Sequence, residues 1–544
     1  MEQLEPVPPW SSLGAALADN ALRYADRMAV IDGERRLTYG ALLQQSRALA
    51  TALIATGVKQ GDLVACWAPN SLRWVVLVHA VWLAGGTIVP ISSRLKILEA
   101  GPLLERSGAA HLFTVGECAG TRFVETLRAS YGAAHGETPF EKLPSLRHLF
   151  RLDLDHAAGD QGEGFDEFVA LGVAIDEAVL DRRTAAVTGD DIGEVIFTSG
   201  TTGAPKGVQL NHAQLIRAYW DWSGIGGLQA TDVYLVITPF SHGFGLNGGV
   251  IASALRGLCM VLLDIFEPAR ALALIRSYGV SVMGGPPNLF ARLMDEPGVA
   301  ENPPATLRVA FVGAASVPVE ILRRIGQGLG VRRVINAYGL MEACVVSMTR
   351  ADDTQEVIST TTGRVLPGVE VRVVDDDSRD VTAGESGEIL VRGYGVMPGY
   401  WHDAAQTRAS LTEDGWFRTG DVGVRDAAGN IRIVDRKKDM FICGGFNAYP
   451  AEIEDLLLKM GGLATVSVVG VPDQRQGEVG VAFVVPARGV LVEPMAVTAW
   501  AKENLAGYKV PRRVFVRDSL PLNGNGKVMK DVLRREAADA IAAG

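Results

Sequence analysis

Short apolar runs alternate along this chain with longer amphipathic stretches, and that alternation limits the fold more than any other feature. Residues 63–67, 72–83 and 87–90 read as strand, helix and strand within about thirty residues, the length of a βαβ crossover. The rhythm returns at 233–237, near 247–255 and at 259–263, then at 269–278 with 280–283, and again at 309–312, 319–327 and 333–336. Strands joined by helical crossovers lie parallel, in sheets covered by helices on both faces. The expected class is α/β.

A chain of 544 residues is too long for one ordinary core. The pattern predicts a large N-terminal domain, 1–434, of layered parallel sheets, with a β-rich subdomain over about 365–434 where short strands and turns take over. The charged cluster Asp435-Arg436-Lys437-Lys438-Asp439 is the expected hinge, at 435–438, and 439–544 reads as a small mobile α+β domain. Residues 118–185 mix Gly, His, Asp and Ala with weak periodicity and are expected to form surface excursions. The apolar run 74–91 contains His79, Gly85, Gly86 and Pro90, so it reads as a buried helix passing into a buried strand and not as a membrane span. The acidic, proline-followed N-terminus does not read as a signal peptide. A net charge of −10 argues against nucleic acid as a partner. Five scattered cysteines without a Cys-x-x-Cys pair suit a reducing cytoplasm and give no zinc site.

The chemistry concentrates at Phe197-Thr198-Ser199-Gly200-Thr201-Thr202-Gly203-Ala204-Pro205-Lys206-Gly207, directly behind an apolar strand. Its glycines let backbone approach a ligand, its hydroxyls and N–H groups suit an anion, and Lys206 adds positive charge. This is a device for holding phosphate, without the spacing of a Walker A loop. Asn336-Ala337-Tyr338-Gly339-Leu340-Met341-Glu342 follows an apolar strand, at the strand end where α/β sheets bind ligands. Its tyrosine ring suits a purine, and its carboxylate suits Mg²⁺ beside a triphosphate. The Asp of Thr419-Gly420-Asp421 is suited to gripping a ribose diol. Lys527, on a Gly-rich loop bounded by Pro521, is held out to reach something. Each segment taken alone has a plainer reading, as a core tyrosine, a turn or a solvated tail lysine.

Together and in this order the segments resemble the adenylate-forming superfamily: acyl-CoA synthetases, carrier-protein-loading adenylation domains and firefly-type luciferases. The resemblance runs through 198–207, 238–245, 313–317, 338–342, 387–401, 419–421, 435–454 and 521–527. It implies an ATP/AMP site of Thr198, Ser199, Gly200, Thr201, Thr202, Gly203, Lys206, Gly313, Ala314, Ala315, Asn336, Ala337, Tyr338, Gly339, Asp421, Arg436 and Lys527. Lys527, Thr201 and Glu342 would be catalytic, with Thr201 and Glu342 holding Mg²⁺. Phe240, His242, Phe244, Asn247, Gly313 and Met341 would line the acyl pocket. Lys438 would be the hinge, and Gly444, Gly445 and Phe446 a channel for coenzyme A. Met341 stands where the family has a threonine whose hydroxyl bonds the α-phosphate.

The implied reaction joins a carboxylic acid to CoA through an acyl-adenylate, with ATP and CoA as co-substrates and AMP and pyrophosphate released. Residues 239–263 and 284–287 resemble actinobacterial ligases acting on steroid-ring propionates and fatty acids. Trp220, Trp222, Phe240, Phe244 and Leu246 suit a bulky apolar, alicyclic, aryl or fatty acid. Two alternatives stand beside this reading. One is an enzyme loading an amino or β-amino acid onto a carrier protein, with Asp221, between two tryptophans, pairing with the ammonium; the plainer reading of Asp221 is an exposed helix-end residue. The other is a catalytically weak nucleotide-binding protein, suggested by Met341. A homodimer is left open.

Overall fold

The structure, a computed structural model, describes residues 6–132, 140–153, 155, 163–198, 205–313, 317, 319–437, 439–443, 446–473, 476–523 and 527–542. Among them two large sheets carry the N-terminal part. The nine-stranded sheet runs Arg364–Val365, Cys344–Met348, Arg333–Leu340, Val309–Val312, Val282–Gly285, Val233–Val236, Cys259–Leu262, Met28–Asp32, Arg35–Thr38. Its inner pairs are parallel and its outer pairs antiparallel. The seven-stranded sheet runs Lys206–Asn211, Ile192–Thr198, Thr87–Ile91, Leu63–Trp67, His111–Thr114, His148–Arg151, Glu163–Gly164, parallel except for its first pair. The α/β class follows from the repeated crossovers.

Helix Leu72–Leu83 is apolar on every side because it touches strand Met28–Asp32 of one sheet and Thr87–Ile91 of the other. Ser71 caps it, accepting from the Trp74 N–H. Gly85, at φ +74°, turns the chain into strand Thr87–Ile91. The apolar run over 74–91 is thus a buried helix and a buried strand, and no helix among the described residues is long and apolar enough to cross a membrane.

One expectation needs correction. The stretch 118–185 is not merely a surface excursion, since His148–Arg151 is a parallel strand whose Phe150 packs on Phe113 and Phe168, all fully buried. Two-residue strands and short helices around it hide its periodicity. Further on, the helix expected near 247–255 begins as a π-helical turn, Leu246–Ile251, before helix Ala252–Arg256.

Strands Val369–Val374, Ser386–Gly393, Phe417–Arg425 and Ile431–Arg436 form an antiparallel four-stranded sheet. A five-stranded sheet follows, built on the long hairpin of Leu463–Asp473 and Gly477–Pro486. Helices Pro450–Leu458, Pro494–Asn504 and Lys530–Ala542 accompany it, around an apolar core of its own that runs in sequence from Phe441 to Ala537.

Candidate active site

Strands Ile192–Thr198 and Lys206–Asn211 are antiparallel partners, with Thr198 opposite Lys206. The phosphate-binding candidates Ser199, Gly200, Thr201, Thr202 and Gly203 between them lie outside the described residues. Lys206 projects its ammonium 5.2 Å from the centre of the Tyr400 ring. Gly207 is glycine for lack of room: a Cβ there would meet Trp401 Cβ and Val195 Cγ1 at 3.0 Å. Trp401 donates its N–H to the Gly207 carbonyl at 2.6 Å, which docks segment 399–401 onto the strand. That docking brings the Tyr400 O–H to Glu342 Oε1 at 3.1 Å. Burial pushes the Glu342 carboxyl above its ordinary range, against the hydrogen bond from Tyr400 and the charges of Arg436 and Lys206. Tyr400 was not singled out in the sequence, although it lies inside one of the resembling segments.

Strand Arg333–Leu340 ends in a single 3₁₀ turn, Met341–Ala343, and the chain returns antiparallel as Cys344–Met348. This reversal presents Tyr338 and Glu342 at the strand end. Tyr338 donates its O–H to Asp421 Oδ2 at 2.6 Å, and Arg436 Nε lies 3.2 Å from Asp421 Oδ1. Asp421 and Arg436 are cross-strand partners, and Gly420 at φ +69° shapes the bend before them. Burial raises the Asp421 carboxyl, while Arg436, Tyr338 and Lys527 pull it back. The hydroxyl of Tyr338 is thus engaged, which leaves its ring as the surface for a planar ligand. Asn336 gives its NH₂ to the Thr361 carbonyl at 2.8 Å, and its Oδ1 is buried without a partner among the described residues. A Cβ on Gly313 would stand 2.9 Å from the Ala337 carbonyl oxygen, and one on Gly339 would stand 2.3 Å from that of Cys344. Ala314 and Ala315 lie outside the described residues.

His242 Nδ1 accepts the Phe244 N–H at 3.1 Å, so the ring proton sits on Nε2. Burial first, then the charge of Lys527, lowers its pKa to about 4, and the ring is neutral. Met341 comes to the same place, its Sδ 2.7 Å from where a Gly243 Cβ would be. Phe244 lies against Gly284 and Gly313 and edge-on to Trp222, whose ring stacks on Phe311 at 3.9 Å between centroids. Phe311 was missed, since inside an apolar strand it carries no distinguishing signal. Asn247 is fully buried and bonded to Glu194. Two aromatic candidates go elsewhere. Phe240 packs edge-on against Trp74 in the core, and Trp220 lies under Trp10 with Arg256 stacked on it. Asp221 is neither exposed nor at a helix end. It lies within helix His212–Ile225, fully buried, held by Arg217 at 2.6 Å and Tyr394 at 3.3 Å.

Lys527 is exposed, its backbone N–H bonded to Asn523 Oδ1 at 3.0 Å. Its positive charge is felt by both His242 and Asp421, lowering the pKa of each. Lys438, Gly444 and Gly445 lie outside the described residues, as does the side chain of Phe446, whose backbone pairs with Cys443. Beside them Asp435 accepts the N–H groups of Arg436 and Ala451, each at 2.7 Å. Lys530 pairs with Glu454 at 2.9 Å and Arg534 with Asp439 at 3.2 Å.

The pattern of the AMP-binding enzyme family matches residues 17–401, and that of the AMP-binding enzyme C-terminal domain matches 452–527. The chain is 41% identical over 527 residues to a 3-[(3aS,4S,7aS)-7a-methyl-1,5-dioxo-octahydro-1H-inden-4-yl]propanoyl:CoA ligase of Rhodococcus jostii (strain RHA1), covering 96% of this chain and 98% of the relative. It is 34% identical over 515 residues to a feruloyl-CoA synthase of an Amycolatopsis species, covering 93% and 95%. Among solved structures, ATP-bound MatB from Rhodopseudomonas palustris superposes with a TM-score of 0.84 at 26% identity, covering 97% of this chain and 99% of that one.

Proposed function

The chain belongs to the AMP-binding enzyme family, and from that premise we propose that it ligates a bulky, largely apolar carboxylic acid, alicyclic or aryl in its body, to coenzyme A. It is an AMP-forming acid–thiol ligase of the acyl-CoA synthetase branch, with ATP and CoA as co-substrates. The observation that carries the reading is the convergence of Lys206, Glu342, Tyr338, Asp421 and Arg436 with the charge of Lys527.

In the first step a carboxylate oxygen attacks the α-phosphorus of ATP and pyrophosphate leaves. A carboxylate is already ionised at neutral pH, so the site needs no general base. That agrees with a His242 ring that is neutral and has its Nδ1 lone pair occupied. What the step needs is positive charge where the phosphoryl group gains negative charge, and we assign that to Lys527 and Lys206. Asp421 and Arg436 are assigned to the ribose, and the Tyr338 ring to adenine. Mg²⁺ fits this reading, because Glu342 offers a carboxylate at the site and Mg²⁺ takes one or two carboxylates with substrate phosphates. Glu342 and Thr201 would hold it, and when bound it neutralises charge on the phosphates.

In the second step the CoA thiolate attacks the acyl carbon and AMP leaves. We propose that the C-terminal lobe turns about 435–438, withdrawing Lys527 and bringing 444–446 to the pantetheine path. The wall made by Trp222, Phe244 and Phe311 supports a ring-bearing acid, as does the ring-bearing propanoyl group named for the Rhodococcus relative. The carrier-protein alternative is weakened, because Asp221 is buried in a helix with its charge already paired to Arg217, whose bond shares Oδ2 with that of Tyr394. Five free cysteines accord with a cytoplasmic setting. An ATP–pyrophosphate exchange screen over alicyclic, aryl, fatty and amino acids, followed by mass detection of the CoA thioester, tests the reading. Exchange with amino acids alone, independent of CoA, would overturn it.

A further inference from the structure

Strand Ile192–Thr198 reads Ile-Gly-Glu-Val-Ile-Phe-Thr, and the charged residue in it points into the protein. Glu194 and Asn247 are both 0% exposed. Asn247 Nδ2 donates to Glu194 Oε1 at 2.8 Å, while Glu194 Oε2 and Asn247 Oδ1 are buried without partners among the described residues. Near the carboxyl, among the described residues, are the Tyr219 phenol, from helix His212–Ile225, which also interacts with Asn247, and the Cys344 thiol, from strand Cys344–Met348. Both are themselves buried, and burial raises both, so they stay neutral. Among the described residues, no cation is among the groups acting on Glu194.

The two ends of this hydrogen bond belong to different parts of the site. Glu194 lies four residues before Thr198, on the strand that leads into the phosphate segment. Asn247 belongs to the π-helical turn Leu246–Ile251, which continues the chain from His242 and Phe244. It shares a face with Gly243, whose Cβ would lie 3.7 Å from Asn247 Nδ2 and 2.7 Å from Met341 Sδ. A π turn is rare and characteristic of functional sites, and it needs fixing by its surroundings. Resting on the ligase reading above, we propose that Glu194 is a positioning residue for adenylation: its bond to Asn247 fixes the turn carrying His242 and Phe244 to the strand that ends at Thr198. The acyl wall and the strand that ends at Thr198 thereby keep one relative placement.

Burial pushes the Glu194 carboxyl up to about 8, with Asn247 pulling the other way. At neutral pH the group is a neutral acid and the bond is undisturbed. Ionisation would leave a buried charge without a counter-ion, which the site relieves by opening. The expected result is an alkaline limb: KM for the acid rises about tenfold, equivalent to ~1.4 kcal/mol, as the pH passes through that value.

The test is ATP–pyrophosphate exchange without CoA from pH 6 to 10, at constant Mg²⁺ and ionic strength, with an acid that is fully ionised throughout. Glu194→Gln keeps an oxygen for Asn247 and cannot ionise, so its KM should stay flat where the wild type rises. Glu194→Ala should show a raised KM at every pH. Tyr219→Phe and Cys344→Ala should keep the wild-type limb. The proposal is overturned if Glu194→Gln retains the limb, if either control variant abolishes it, or if the wild type has none. Should Glu194→Ala fail to fold, the comparison of wild type with Glu194→Gln decides alone. Absence of exchange with every acid would sink the ligase reading and this proposal with it, whereas exchange with unaltered pH profiles sinks only the latter.

Discussion

Tyr400 ties the proposed ATP site together, its ring centre 5.2 Å from the Lys206 ammonium and its O–H on the Glu342 carboxylate. Tyr400→Phe keeps the ring beneath Lys206 and removes one hydrogen bond to an ionisable group. The expected loss is roughly ten- to a hundredfold in kcat/KM for ATP, from a bond worth ~1.5–3 kcal/mol. Titrations of rate against ATP and Mg²⁺ check it; an unchanged constant would remove Tyr400 from the site. Met341 is the second residue to test, because its thioether sits against Gly243 where a threonine would be shorter and polar. Met341→Thr should equal or exceed the wild type in pyrophosphate exchange. A collapse would show that the thioether shapes the acyl pocket. Neither position could be judged from sequence: Tyr400 acquires its role from a docking of segment 399–401 onto Gly207, nearly two hundred residues earlier in the chain. Asp221 was misjudged for the same reason, its partner Tyr394 being remote in sequence.

Among the elements, helix Pro450–Leu458 carries a carboxylate with a displaced proton. Burial, and then the charge of Glu454, lift Asp455 from 3.8 to about 7, with Lys459 opposing. Between those values the folded chain keeps a proton that the unfolded chain has released. The stabilisation is therefore complete below about pH 4 and is lost as the pH rises through about 7. Asp455→Asn has no such proton, so its Tm relative to wild type should climb between pH 4 and 8. A constant difference over that range would refute the assignment. The crossover elements themselves were legible, because buried parallel strands read as continuous apolar runs and the helices between them keep their own period. Less legible was what depends on pairing. Sequence predicted a strand before the phosphate segment and not that an antiparallel partner follows it, nor that a strand lay hidden in 118–185. Core and pocket aromatics look alike, which is why Phe240 and Phe244 were grouped although the structure separates them.

For the whole molecule the central quantity is where Lys527 spends its time. Lys527→Ala should reduce pyrophosphate exchange by ~10²–10³ or more, the usual effect of losing one preorganised charge or donor at a transition state. Thioester formation from supplied acyl-adenylate should survive, and equal failure of both half-reactions would rule out the proposed rotation. The order of motifs suggests this two-part organisation, whereas the charges around 435–439 are recognisable as paired only once Lys530, Glu454 and Arg534 are folded beside them. The apolar cluster running from Phe441 to Ala537 is separate from the others, and where helix Pro450–Leu458 meets strand Ile431–Arg436 the Asp435 carboxylate accepts the Ala451 amide and faces the Lys530 ammonium. A joint of this kind can turn without wetting a greasy seam. Buffer salt, more than warmth, should then set the tempo at which one enzyme alternates between making an anhydride and spending it.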